Sequence, residues 1–237
     1  MTQTIASVLD GFGPVVWINL DRSTDRRAFM EDLFQRHCIT DTHRVPGIDG
    51  NDAAAVYELV GGEFAQTRSK TTRTIACFVA HLTAIRYFLE NLESDHAIIC
   101  EDDLSFETVQ YWRFTWNEFV ADLPPDWNLI QLCILQQHLA LRLVEHQEHY
   151  WGAQSYMISR AYAQQVIDRF HRDGIYRVVD HPSPVADEAL YEGERIYSFP
   201  LFVEHQFKSL IHSEHEAIHA TIRENTLMLW QFYASVL

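Results

Sequence analysis

Short apolar runs and longer amphipathic stretches alternate along most of this chain. "PVVWINL" (14–20) is apolar, rich in β-branched residues and preceded by Gly and Pro, which predicts a buried strand. In the stretch that follows, Phe29, Met30, Leu33 and Phe34 share one helical face and Thr24 stands where a cap belongs. "HRVPGIDG" (43–50) reads as a brief strand running into a turn, so the chain opens strand, helix, strand, the pattern of an α/β layer. Residues 61–72, "GGEFAQTRSKTT", predict a loop. A helix over about Arg73 to Leu92 is expected next, with Ile75, Phe78, Val79, Leu82, Ile85, Leu89 and Leu92 on one broad stripe.

"HAIIC" (96–100) is too short and too β-branched for a helix and predicts a second buried strand. Strands are expected again at 128–135 and 151–159, the latter ending at Ser159, which can cap a helix reaching about Phe170. Residues 181–193 read as a Pro-marked loop entering a short helix that stops at Gly193, followed by a strand at "RIYSFP". From about Ser213 the spacing of Ile218, Ile222, Leu229 and Phe232 is helical. No internal repeat, low-complexity tract or linker interrupts the pattern, so one domain over residues 1–237 is expected.

Composition narrows the function classes. Of the 237 residues, 47% are hydrophobic, which suits a globular protein with a sizeable core. A formal charge of -15 argues against nucleic acid and against an anionic membrane surface as partners. The four cysteines (Cys38, Cys77, Cys100, Cys133) form no Cys-x-x-Cys pair, as expected of free thiols in a reducing compartment. The first residues lack the basic and long apolar regions of a secretory signal, and no apolar run approaches the roughly 20 residues that span a bilayer. A soluble, cytoplasmic protein without a transmembrane segment is the expectation.

The strongest chemical signal closes the second strand: Glu101, Asp102 and Asp103, three carboxylates in a row. Like charges held together raise one another's proton affinity unless a cation neutralises them. An oxygen-only cluster suits a hard divalent ion, magnesium or manganese, and the carboxyl ends of strands are where open α/β sheets gather ligands. The bland reading is an acidic surface turn in an acidic protein.

The neighbouring segments weigh toward the first reading. "VVWINLDRSTDRR", "HRVPGIDG", "IACFVAHLTAIRYF" and "HAIICEDDLSF", in this order, resemble glycosyltransferase family 25, the lipopolysaccharide-biosynthesis and collagen-galactosyltransferase type. "WGAQSYMISRAYAQQVI", "PVADEAL" and "FPLFVEHQFKSLI" resemble its later segments, so the likeness runs from about Val15 to Ile211. Two departures stand out: Ala80 replaces the family's Ser before the helix His, and Ala76 its Gly before the Cys.

The resemblance implies a GT-A fold with a mixed central sheet flanked by helices. It also implies a UDP-sugar donor, usually UDP-galactose or a related UDP-hexose, a glycan or glycoconjugate acceptor, and inversion at the anomeric carbon. Asp103, with Asp102 beside it, would hold the metal, and Glu101 would brace the loop or touch the ribose. Inversion needs a group to accept the incoming hydroxyl's proton. Asp187 is the first candidate, Glu188 the second and Asp180 the third; otherwise Asp187 only interacts with the dipole of a nearby helix start.

Asn19, Leu20 and Arg22 close the first strand, where a nucleotide would lie in such a fold. Arg26 or Arg27 could reach a phosphate or base edge, and Asp49 with Gly50 could contact uracil or ribose. Solvated helix face and plain turn chemistry are the alternatives. Cys77 and His81, four apart, share a helical face; two ligands do not make a zinc site, so a packed Cys beside a hydrogen-bonding His facing the donor is preferred. Of the late cluster His205, His212, His215 and His219, His205 or His212 could add a metal ligand. The loop around 67–74 could act as a lid over the donor. The C-terminal helix could form a homodimer surface, although packing on the domain's own core is favoured. A catalytically degenerate glycan-binding domain and a metal-dependent phosphoesterase or nucleotidyltransferase are the rival functions.

Overall fold

In the computed structural model, which describes residues 8–137, 139–207 and 216–236, the opening strand is β1 (Val15–Asn19), buried at every position. Val16 and Ile18 face one side of the sheet and Val15 and Trp17 the other, as the two-residue period of a strand covered on both faces requires. Helix α1 (Thr24–Arg36) crosses back over the Trp17 side, burying Met30, Leu33 and Phe34, with Phe34 edge-on to the Trp17 ring. Strand β2 (Thr42–Pro46) then pairs parallel with β1.

A short helix, α2 (Ala53–Leu59), is capped by Asp52 accepting from the Ala55 N–H. The long α3 (Thr72–Asn91) starts one residue before the expected position because the Thr71 hydroxyl accepts from the Thr74 N–H. Its stripe, including Ile75, Phe78, Val79, Leu82, Ile85 and Phe88, packs on the Val16–Ile18 side of the sheet.

Strand β3 (His96–Glu101) pairs parallel with β1 and is followed after two residues by β4 (Leu104–Ser105). Helix α4 (Trp116–Ala121) opens with a capping box between Thr115 and Glu118. Strands β5 (Leu129–Cys133), β6 (Val144–Glu145) and β7 (Ser155–Ser159) follow, and Ser159 caps α5 (Arg160–Phe170). After the hairpin of β8 (His171–Arg172) and β9 (Ile175–Tyr176) come the one-turn α6 (Ala186–Ala189), β10 (Ile196–Glu204) and α7 (Glu216–Val236).

The main sheet runs β2-β1-β3-β7-β5-β10-β4, with β6 on β10. Strands β1, β2, β3, β5 and β10 point the same way, while β7 runs antiparallel between β3 and β5. The carboxyl ends of five strands therefore meet the amino end of β7 along one edge. This is the GT-A-like arrangement, a mixed sheet with helices on both faces.

Several elements depart from the periodicity. The strand expected at 151–159 begins only at Ser155, and Trp151 makes a single bridge to Leu135. Helices α2 and α4 were not expected: each spans under two turns and rests on its cap more than on an apolar stripe. The 61–72 loop lies outside the central cleft, its Lys70 ammonium bonded to the Val179 carbonyl. Helix α7 packs through Ile222 and Trp230 onto the domain, and the Trp230 indole donates to the Pro200 carbonyl at 2.8 Å. All four cysteines are free thiols. Among the described residues no helix is long and apolar enough to cross a membrane.

Candidate active site

Where the strand ends converge, a cleft of about 800 Å³ opens. That volume is in the range of small-molecule sites. Its floor carries Asn19 from β1 and Glu101, Asp102 and Asp103 from the end of β3.

The triplet is not left unneutralised. Arg26, buried on α1, donates to Asp102 Oδ1 at 2.6 Å and to Asp103 Oδ2 at 3.1 Å. The Asn19 amide donates to the other Asp102 oxygen at 2.6 Å and is itself held by Arg44 at 3.0 Å. Asp102 is thus a bracing group, tied on both oxygens to α1 and β1. Asp103 keeps one oxygen, Oδ1, buried and without a hydrogen-bond partner among the described residues. Burial, then the charges of Glu101, Asp102 and Glu204, push its proton affinity well above the usual carboxylate range despite Arg26.

Glu101 behaves oppositely. Burial raises its proton affinity, but the bond to His81 and the charges of His81 and Arg26 outweigh this and hold it below the ordinary value. His81 is fully buried, with Nε2 3.3 Å from Glu101 and Nδ1 3.2 Å from the Tyr156 hydroxyl. Cys77, His81 and Glu101 offer ligand atoms within 4.8 Å of one another, three potential ligands where the sequence suggested two. Burial, reinforced by Glu101, Asp187 and Asp103, pushes the Cys77 thiol well above its usual range. The imidazole already has two hydrogen-bond partners, so His81 and Glu101 form a bonded pair with the Cys77 thiol packed beside it.

The far wall comes from the segment before β7 and from α6. Asp187, in the first turn of α6, accepts from the Gly152 N–H at 2.9 Å, and burial raises its proton affinity. Glu188 borders the same cleft; Asp180, at the end of a 3₁₀ turn, is exposed and outside it. On the opposite side the cleft is bordered by Leu20, Arg22, Asp49, Gly50 and Arg73, with Arg22 ion-paired to Asp49. Gly50 sits so close to the Arg73 backbone that a Cβ would lie 2.4 Å from its Cα, so only glycine fits there. Arg27, by contrast, points to solvent and pairs with Glu31 at 2.8 Å; its neighbour Arg26 is the one that enters the site.

Strand β10 closes the cleft. Its pairing with β4 sets Glu204 opposite Leu104, and the His205 N–H bonds the Asp103 carbonyl. This brings a further carboxylate, Glu204, to the triplet's side of the cleft, an acid that nothing in the pattern singles out because it ends an apolar strand. His219 of α7 pairs with Glu204 at 3.2 Å. The His205 ring stacks on Phe29 at 4.2 Å, and Phe207 lies 4.9 Å from the Arg26 guanidinium. His212 lies outside the described residues, as does His215.

The profile of glycosyltransferase family 25 (LPS biosynthesis protein) matches residues 13–181. The chain belongs to this family. No curated protein matches it. Family 25 membership supports a glycosyltransferase role for the chain. The matched residues hold Asn19, the acidic triplet and Gly152 but stop before Asp187, Glu204 and His205, which border the same cleft. Of the two departures from the family pattern, Ala76 is packed in the core while Ala80 borders the cleft.

Proposed function

We propose that the chain is a metal-dependent, inverting hexosyltransferase that moves galactose or a related sugar from a UDP-sugar to a hydroxyl of a glycan or glycoconjugate. The observation that carries this reading is Asp103: a buried carboxylate with a raised proton affinity and an unpartnered oxygen, facing a cleft large enough for a nucleotide-sugar. Manganese or magnesium fits these donors, since a hard divalent ion supplies the positive charge the site lacks. Asp103 would hold it, with Asp102 adjacent and the neutral His205 imidazole as a further ligand. Bound there, it would act as a Lewis acid toward the diphosphate.

The remaining work belongs to the chain's own side chains. The nucleotide lies along Asn19, Leu20, Arg22 and Asp49, with Arg73 at its edge and His81 with Glu101 beneath it. Asp187, held by Gly152 and more basic than an ordinary carboxylate, takes the proton of the acceptor hydroxyl as its oxygen bonds to the anomeric carbon. The bond from that carbon to the β-phosphate oxygen breaks on the opposite face, and the electron pair leaves with UDP. Glu188 is the alternative proton acceptor.

A second reading rests on Arg26, whose guanidinium already bridges Asp102 and Asp103. It is a glycan-binding domain of the same fold that has lost turnover. A thermal-shift panel of nucleotide-sugars with and without manganese separates the two. The enzyme is stabilised by UDP and one UDP-hexose only with manganese, and Asp103→Ala abolishes this. Absence of manganese-linked stabilisation by any nucleotide-sugar overturns the enzyme reading.

A further inference from the structure

Trp151 is unlike the other tryptophans. Trp17, Trp112, Trp116 and Trp230 are buried and Trp127 is half-buried, but Trp151 borders the cleft with 52% of its surface exposed. A lone exposed aromatic residue is unremarkable in itself. What sets this one apart is the rigidity of the backbone beneath it.

The Gln131 side-chain amide, fully buried on β5, donates to the carbonyls of Tyr150, Trp151 and Gly152 at 2.9, 3.0 and 2.9 Å. Its oxygen accepts from the buried Ser198 hydroxyl at 2.8 Å, which is in turn 2.9 Å from His146 Nδ1. The Leu135 N–H and the Tyr191 hydroxyl add bonds to the Trp151 and Gly152 carbonyls, both at 2.8 Å. A buried polar chain from β5, β10 and the loops beside them therefore fixes the 150–152 segment, from which the Trp151 side chain stands exposed with no core to fill. Such a fully satisfied network specifies a single geometry.

Trp151 and Asp187 line the same cleft, and Gly152, the residue after Trp151, holds Asp187 through its N–H. Gln154, three residues on, borders the cleft, and its amide oxygen, buried beside Gly152, has no hydrogen-bond partner among the described residues. An aromatic face on a rigid support, a polar group beside it and a base within the same wall suit one ligand class: a pyranose ring, apolar on one face and hydroxylated at its rim.

We propose that Trp151 is the acceptor platform, stacking a pyranose ring of the acceptor while Gln154 bonds one of its hydroxyls. The acceptor is then a sugar hydroxyl of a glycan, not a protein side chain. This rests on the transferase reading for the identity of the cleft, but sugar stacking is measurable without donor or metal.

The test titrates wild type, Trp151→Phe and Trp151→Ala with lactose, maltose, melibiose and cellobiose, read by saturation-transfer NMR and tryptophan emission. Stabilisation by UDP with manganese is measured in parallel on the same proteins. Wild type binds at least one disaccharide, with saturation concentrated on the C–H groups of one pyranose face. Trp151→Phe retains most of this, and Trp151→Ala weakens it by about tenfold or more. UDP–manganese stabilisation is equal in all three proteins. Binding by Trp151→Ala equal to wild type, or no binding of any of the four sugars by wild type, overturns the platform. Loss of the UDP–manganese signal in wild type overturns the donor reading and leaves the sugar titration to be judged separately.

Discussion

Arg26 and Asp102 meet at 2.6 Å beneath the cleft, both side chains about nine-tenths buried, and the same guanidinium reaches Asp103 at 3.1 Å. One fixed cation is thus shared between two carboxylates, with Glu101 and Glu204 close by. The pair anchors α1 to the β3–β4 turn and sets how much further positive charge the cleft can take.

Arg26→Ala removes that cation and leaves buried carboxylates uncompensated, which costs about 3 kcal/mol near neutral pH. The sign with pH follows from the raised proton affinities of Asp102 and Asp103: their folded forms bind protons more tightly than the unfolded chain. Lowering the pH neutralises them, so the variant's deficit should shrink in acid. Manganese at neutral pH should restore part of the lost melting temperature if the triplet holds a cation. Thermal unfolding of both proteins over a pH series, with and without manganese, checks all three outcomes.

The sheet, both long central helices and the acidic triplet were legible because each rests on a local pattern: β-branched apolar runs, a 3.6-residue stripe, a run of like charges. Arg26 and Arg27 were not separated, yet the signal was present. Arg26 falls on the same stripe as Met30 and Leu33, whereas Arg27 is four residues before Glu31 on the outer face. Glu204, Gln131 and Ser198 were illegible for a different reason. Each lies within or at the end of an apolar strand, and its partner is brought to it by cross-strand or loop contacts distant in sequence. Asp180 was the third candidate after Asp187 and Glu188; Asp187, held by Gly152, borders the cleft, whereas Asp180 is exposed and outside it.

Asp187→Asn keeps the volume and can still accept from Gly152, but cannot take up a proton. Transfer should fall by about 100-fold or more, while UDP–manganese binding stays unchanged. Because burial raises the Asp187 proton affinity, the acidic limb of the wild-type kcat/KM profile should lie above the ordinary carboxylate range and be absent in the residual activity of the variant. Steady-state kinetics over a pH series decide it; undiminished transfer would pass the role to Glu188.

His146 carries a pH-dependent part of the stability. Burial, and secondarily the charge of His149, push its pKa down to about 4, so in the folded state it stays neutral where the unfolded chain's imidazole takes up a proton. Stability from this residue is complete above the ordinary histidine pKa and is lost as the pH falls from there to about 4. The loss should total about 2 kcal/mol, allowing for partial solvent screening. A His146→Gln variant should show a flatter stability curve in that window, measured by urea unfolding at successive pH values.

Gln131→Leu tests whether the wall of the cleft is built from the inside. Leucine matches the glutamine closely in size, so the β5 core should stay filled, and the change isolates the hydrogen bonds. Three carbonyls lose a donor at once, and the Ser198 hydroxyl loses its acceptor. Because Leu135 and Tyr191 still serve two of those carbonyls, the cost should be about 2 kcal/mol, not the full sum of three orphaned groups. The functional effect should be selective. Asn19, Arg26 and the acidic triplet are held by contacts that do not pass through Gln131, so UDP–manganese stabilisation should be retained. The acceptor KM should rise several-fold as the 150–152 segment loosens, and kcat should fall as Gly152 ceases to aim Asp187. Melting temperature, nucleotide stabilisation and the separate KM and kcat values together distinguish this from general destabilisation, which would lower melting temperature, nucleotide stabilisation and kcat together and leave KM unchanged.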